Sequence, residues 1–237
     1  MFRKKYKKLW GKKMGFELGN NNKVYLCGII ASKPVFSHEI YGEKFYDVNV
    51  EVQRLSEQSD IIPVTISERL FENNDISVGA SIALKGQFRS YNKVVDGHSK
   101  LMLTVFVREV CKEITNISSN IIEISGYVCK EPIYRTTPFK REICDILIAV
   151  NRAYNKSDYL PCIAWGRNAR FVSELEVGQK VFMTGRIQSR NYQKKIDEQK
   201  TETRTAFEIS IAQISTENNI EKVLDDSIFK EAISEAA

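Results

Sequence analysis

The sequence predicts an all-β protein: two five-stranded barrels in tandem, with short helices and flexible termini. Three observations carry this. First, the chain repeats itself. Sliding it by 98 positions sets Val24 on Ile122, Gly28 on Gly126, Pro34 on Pro132, Asp47 on Asp145, Arg54 on Arg152 and Pro63 on Pro161. One residue is then inserted, and at a shift of 99 Gly79, Gly86, Ser90 and Asn92 fall on Gly178, Gly185, Ser189 and Asn191. A period this long is no solenoid repeat and suits a duplicated small domain. Second, each copy holds five segments rich in β-branched and aromatic residues, such as "KFYDVNVEV" and "ICDILIAVN". Third, each copy has room for only a short helix.

In chain order the first copy places strands at 23–31, 44–54, 60–67, 80–90 and 100–110. The second places them at 120–130, 141–152, 159–165, 179–190 and 203–214. Between the third and fourth segments of the second copy lies "NARFVSEL", with Ala169, Val172 and Leu175 at helical spacing, followed by a Gly turn. Five strands with a helix between the third and fourth is the layout of the OB-fold, a Greek-key barrel used for oligonucleotides. A different small barrel is the alternative architecture. The predicted divisions are a basic arm (1–19), a first barrel (20–112), a second barrel (118–216) and an acidic tail (217–237).

Composition narrows the function classes. The 237 residues include five cysteines (Cys27, Cys111, Cys129, Cys144, Cys162), with no CxxC spacing, and two histidines, His38 and His98. That offers no supported zinc site or histidine triad, so neither an enzyme nor a metal or other cofactor is expected. No membrane-length apolar run and no signal-peptide core occur, and a reduced cytoplasm is the expected location. The net charge of +5 is set by the arm. Arg3, Lys4, Lys5, Lys7, Lys8, Lys12 and Lys13 precede the first acid, Glu17. Removing these seven from 35 bases leaves 28 against 30 acids, net −2. A nucleic-acid footprint in the folded part must then be local.

Four segments, "YRTTP", "ILIAVNR", "DYLPCIAWGRNARFV" and "VGQKVFMTGRIQSRNY", give the second copy a family resemblance. In order and spacing they resemble bacterial single-stranded DNA-binding proteins, from about Ile121 to Ser215. The first copy, about Lys23 to Val110, is similar through "GIIASKP", its hydrophobic skeleton and "VGASIALKGQFRSY". The resemblance implies an OB-fold that wraps single strands without sequence preference. The family's commonest form has one barrel per chain, and the tandem arrangement departs from it.

The residues themselves point the same way. In "YLPCIAW" side chains alternate between faces. Leu160, Cys162 and Ala164 fit the interior, which leaves Tyr159, Ile163 and Trp165 on the other face. The aligned "IIPVTIS" sets the choice: Ile62, Val64 and Ile66 suit a core, and Thr65 and Ser67 suit an exposed face. Tyr159, Trp165 and Tyr192 are thus candidate stacking platforms, with Arg135, Arg152, Arg167, Arg186 and Arg190 as phosphate contacts. Trp165 as a core or subunit-interface residue is the competing reading.

The copies differ. Residues 130–170 hold eight bases and four acids, net +4; residues 32–72 hold four bases and eight acids, net −4. Tyr159 aligns with Ile61 and Trp165 with Ser67. The first copy keeps Tyr41, Tyr46, Arg89, Tyr91 and Lys93, a weaker candidate site or an edge for pairing. The tail carries Ile220, Val223, Leu224 and Ile228 at near-helical spacing, and "DDSIF" is internal. It reads as a solvated helix rather than a partner-recruiting tip. In the arm, Trp10-Gly11 is necessarily encoded TGGGGN, and two A-rich lysine codons lead to Met14. That resembles a ribosome-binding site, so translation from Met14 is one expectation; a basic amphipathic arm is the other. Single-stranded DNA is the expected ligand, with replication or repair proteins as partners and a homo-oligomer, a dimer favoured, as the assembly. An OB-fold adaptor that binds replication partners, or a single-stranded RNA binder, is the alternative function.

Overall fold

The computed structural model describes residues 21–111 apart from positions 55, 57, 72 and 96, then 119–195 and 201–217. The arm and all but the first residue of the tail lie outside the described residues. The first copy runs β1 (Asn22–Ile30), β2 (Val35–Ile40), β3 (Glu43–Gln53), β4 (Ser59–Ser67), α1 (Glu68–Phe71), β5 (Ser81–Val95) and β6 (His98–Val110). The second runs β7 (Ser119–Val128), β8 (Ile133–Thr136), β9 (Glu142–Asn151), β10 (Ser157–Trp165), α2 (Arg167–Ser173), β11 (Lys180–Lys195) and β12 (Thr201–Thr216).

Strand pairing forms a ring in each copy. β1 pairs with β3, β3 with β4, β4 in parallel with β6, β6 with β5, and β5 again with β1. The second copy repeats the circuit through β7, β9, β10, β12 and β11, again with one parallel step, β10 to β12. The expected alternation fills both interiors: Ile62, Val64 and Ile66 in one, Leu160, Cys162 and Ala164 in the other, all buried. The repeated glycines stand where the rings turn. A Cβ on Gly28 would fall against the carbonyl of Glu51, and one on Gly126 against that of Ala149. Only a residue without a side chain lets β1 and β7 come this close to their second neighbours. Of the helical candidate, Ala169, Val172 and Leu175 are all buried, although α2 ends at Ser173.

Each copy also carries a strand that the sequence pattern does not announce. β2 and β8 are edge hairpin arms, largely exposed, so they lack the alternation that marks a half-buried strand. The β2–β3 turn is Tyr41-Gly42, both at positive φ (51° and 80°), the geometry of a two-residue type I′ hairpin. The hairpins β5–β6 and β11–β12 are longer than expected, running out to Val95 and Lys195. Thr65 and Ser67 correct the expectation that they are exposed: they are 3% and 5% accessible. Ser67 pairs across β3 with Phe45, and Thr65 lies beside Phe106 on β6. Thr65 Oγ1 also hydrogen-bonds Asp47 at 2.7 Å and Thr104 at 2.9 Å. A polar network and aromatic rings cover the face that polarity alone would have put in water.

The two rings share one continuous sheet through β1 and β7, antiparallel from Asn22–Ile124 to Cys27–Ser119. Beyond the Val24–Gly86 pair, the Asn22 side chain takes over from the backbone ladder. Its amide donates to the Phe88 carbonyl (2.7 Å) and its oxygen accepts the Phe88 N–H (2.9 Å). Asn120 does the same with Ile187, at 2.6 and 2.9 Å. Each hairpin then crosses to the opposite barrel. Asp60, 1% accessible, accepts the Ser189 N–H at 2.8 Å and pairs with Arg54 at 2.6 Å. Asp158 accepts the Ser90 N–H at 2.8 Å and pairs with Arg152 (3.3 Å) and Arg89 (3.4 Å). Among the described residues no helix is long and apolar enough to cross a membrane.

Candidate nucleic-acid interface

Register and alternation place the candidate platform on the outer faces of β8, β9 and β10. Arg135, Ile143 and Trp165 form one row across the three strands, and Ile133, Asp145 and Ile163 the next. Two rows farther along β10, Tyr159 lies beside Ala149. Tyr159 and Trp165 are 47% and 41% accessible. Ile163, assigned to the same face, is buried instead. Six positions apart at a rise of about 3.3 Å each, the two residues stand roughly 20 Å apart along one strand. Neither ring contacts another aromatic ring or a cation among the described residues. Trp165 ends its strand because Gly166 follows at φ 52°, and its N–H closes on the Glu142 carbonyl at 2.9 Å before α2 begins.

The cations around this face fall into two groups. Arg135 pairs with Asp145 at 2.8 Å and Arg170 with Glu142 at 3.1 Å, both in solvent. Lys130, Lys140, Arg141, Lys156 and Arg167 have no carboxylate partner among the described residues. Exposed pairs like Arg135–Asp145 contribute little and exchange easily for a phosphate. Sequence reasoning passed over three exposed aromatics beside them: Tyr134, Phe139 and Tyr154, at 42%, 88% and 94% accessible. Tyr134 donates to Glu142 at 2.7 Å, and that bond raises its phenol pKa. Their only sequence signal is an aromatic beside cations, on the edge strand β8 for Tyr134 and in turns for Phe139 and Tyr154.

The remaining candidates are placed elsewhere. Arg152 is held by Asp158 at the crossing between barrels. Arg186 is partly buried and hydrogen-bonds Gln188 at 3.4 Å; burial, then nearby Arg54, lowers its pKa. Arg190 lies 3.5 Å from Glu208 and 6.0 Å from the Tyr192 ring. Tyr192 projects from the β11–β12 hairpin into a cavity shared with the first barrel. So β10 unites Tyr159 and Trp165, and Tyr192 belongs to a separate feature.

The first barrel presents a different outer face. Phe45 stacks on His38 at 4.9 Å and 10° and packs on Phe106 at 5.5 Å, while Arg108 lies 5.0 Å above Phe106. Tyr46 is wedged between Phe36 and Phe71 and hydrogen-bonds Glu68 at 3.3 Å. These rings already contact one another or a cation. Tyr41 is fully exposed at the hairpin tip, Arg89 is held by Asp158 and Gln87, and Tyr91 and Lys93 extend along β5.

Residues 119–216 match the model of the single-strand binding protein family. Single-stranded DNA-binding protein 1 of Staphylococcus aureus (strain COL) is 33% identical over 81 residues, 31% of this chain and 48% of that protein. Single-stranded DNA-binding protein A of Bacillus subtilis (strain 168) is 31% identical over 81 residues, 31% of this chain and 47% of that protein. The match thus spans about half the length of these relatives. The crystal structure of the wild-type single-stranded DNA binding protein from Thermus aquaticus superposes with a TM-score of 0.66 at 18% identity. It covers 82% of this chain and 92% of that one, so the likeness of fold extends over both barrels.

Proposed function

We propose that this chain, whose residues 119–216 match the model of the single-strand binding protein family, holds single-stranded DNA without sequence preference and without catalysis. One observation carries the reading. The second barrel exposes two aromatic rings free of ring contacts, Tyr159 and Trp165, beside five cations with no carboxylate partner among the described residues. Flat rings accept any base by stacking, and the cations neutralise phosphates. Arg135 and Arg167 flank Trp165 and serve the strand. Arg152 and Arg186 serve the junction first. A cytoplasmic role in replication, recombination or repair follows from such binding.

The test is titration of the full chain with dT oligomers at several salt concentrations. Log K should fall against log salt by roughly 0.7 per phosphate neutralised. Binding that ignores salt, or that prefers duplex DNA, would overturn the reading. Equal binding of an rU oligomer would widen the ligand to RNA, because neither stacking nor phosphate contact reads the sugar.

A further inference from the structure

The two long hairpins border an open cavity of about 570 Å³ that belongs to neither barrel alone. Tyr91, Lys100 and Thr104 line it from the first barrel; Tyr192, Arg204 and Phe207 line it from the second. Its volume is in the range of small-molecule sites. Lys33 also lines it, and so does Asp47, whose carboxylate accepts the Thr65 hydroxyl at 2.7 Å.

One detail singles out an anionic occupant. Lys93 and Lys100 are direct cross-strand partners on β5 and β6. Neither has a carboxylate partner among the described residues. Like charges directly opposed destabilise a hairpin unless an anion neutralises them. The cavity thus has cations at its rim and two aromatic rings in its wall, Tyr91 at 42% and Tyr192 at 37% accessible.

Its position links it to the platform. Pro161, which also lines the cavity, shares the outer face of β10 with Tyr159 and Trp165. The Tyr159 N–H donates to Ser90 Oγ at 2.7 Å, and Ser90 immediately precedes Tyr91. The strand that carries the platform therefore also borders the cavity.

We propose that the inter-hairpin cavity is a second subsite for the same single strand. A base lies against Tyr91 and Tyr192, and a phosphate lies on the Lys93–Lys100 pair. The first barrel thereby takes part in binding through its hairpin, although its own outer face is occupied. The proposal rests on the reading of the second barrel as a single-strand binder.

The test uses the full chain and dT oligomers of increasing length. For wild type, affinity should keep rising after the oligomer outgrows the β10 platform. Tyr91→Ala combined with Lys100→Glu should weaken long oligomers at least tenfold, lower the salt slope, and leave the shortest bound oligomers within twofold. Tyr91→Phe, which keeps a ring, should restore the stacking part, and unchanged unfolding midpoints exclude misfolding. Lys100→Glu alone, at an exposed position, should still lower the salt slope. If wild type binds and these variants bind every length equally well, the cavity has no part and the platform reading survives. If a peptide fills the cavity instead, dT affinity is likewise unchanged and the subsite proposal falls. If wild type binds no dT oligomer, both readings fall.

Discussion

Val24 lies directly opposite Ile122 across the β1–β7 junction, and these same two residues are equivalent positions in the repeat. The pseudo-two-fold axis therefore passes through this pair. Its neighbours obey the same operation. Lys23 faces Glu123, Tyr25 faces Ile121, and a shift of 98 exchanges the two pairs. Arg54, Asp60 and Ser189 on one side answer to Arg152, Asp158 and Ser90 on the other. An isologous contact of this kind is what two identical subunits make. Here it is made within one chain.

An isolated 118–216 fragment should therefore dimerise. It exposes the β7 edge, a row of unpaired backbone groups that seeks another strand. A second β7 fits with Ile122 against Ile122, and Asp158 of each copy then meets Ser189 of the other. Sedimentation should show a concentration-dependent dimer. A fragment that stays monomeric throughout would show that the junction depends on features particular to β1.

Asp158 should be among the least replaceable polar residues. It is buried, accepts the Ser90 N–H and faces both Arg89 and Arg152. Removing one partner of a buried pair leaves a charge uncompensated, at a cost of about 3–5 kcal/mol when burial is complete. Arg152 is partly exposed, so Asp158→Ala should cost about 2–3 kcal/mol in urea unfolding. A loss under about 0.5 kcal/mol, the level of a neutral surface change, would show that the crossing is not held by this carboxylate.

Glu123 gives a pH test. It is 6% accessible on the outer face of β7, and burial raises its carboxyl pKa against the opposing pull of Lys23. Below the ordinary carboxyl pKa both folded and unfolded states are protonated. As pH rises the unfolded state ionises first, so this residue's stabilising contribution is lost as pH passes through the raised folded value. Glu123→Gln removes that loss. Its unfolding midpoint relative to wild type should increase from pH 4 to pH 7. A difference that stays constant with pH would show that Glu123 ionises as readily folded as unfolded.

The repeat, the ten ring strands and the exposure of Tyr159 and Trp165 were legible in the sequence, because alternation and turn glycines are local signals. Gly28 and Gly126 were visible as matches, and the structure supplies their reason: a close approach to another strand. Arg54–Arg152 and Ser90–Ser189 were visible as matches too. Their meaning was not, since a crossing between barrels pairs residues more than 60 positions apart. Shared spacing between copies marked these residues, but charge alone suggested phosphates. Strands β2 and β8 escaped because exposed edges carry no burial pattern. Thr65 and Ser67 were misplaced because a small polar residue buried beside aromatic rings looks, by type, like a surface one; Thr65 is hydrogen-bonded there, while the Ser67 hydroxyl has no partner among the described residues.

Trp165 should report binding directly. Trp10 in the arm is the other tryptophan, so a variant lacking residues 1–13 isolates its emission. Saturating poly(dT) should quench it if a base stacks on the ring. Trp165→Ala should weaken binding by about 1–3 kcal/mol, the usual loss of one stacking platform. An unchanged spectrum at saturation would remove Trp165 from the site.

The two barrels should bind unequally when separated. The 118–216 fragment keeps both rings and the five cations without carboxylate partners. The 20–112 fragment keeps Tyr91, Lys93 and Lys100, but loses Tyr192 and Arg204 from the cavity wall. Its outer face has Phe45 stacked on His38 and Phe106 beneath Arg108, so a base would have to displace existing contacts before it could stack. The acidic excess of residues 32–72 adds repulsion for phosphates. The 20–112 fragment should therefore bind a dT oligomer at least tenfold more weakly, about 1.4 kcal/mol, compared per barrel at one salt concentration. Equal affinity would mean that the aromatic cluster of the first barrel opens readily to a base, and that ring contacts and local charge do not rank these two surfaces.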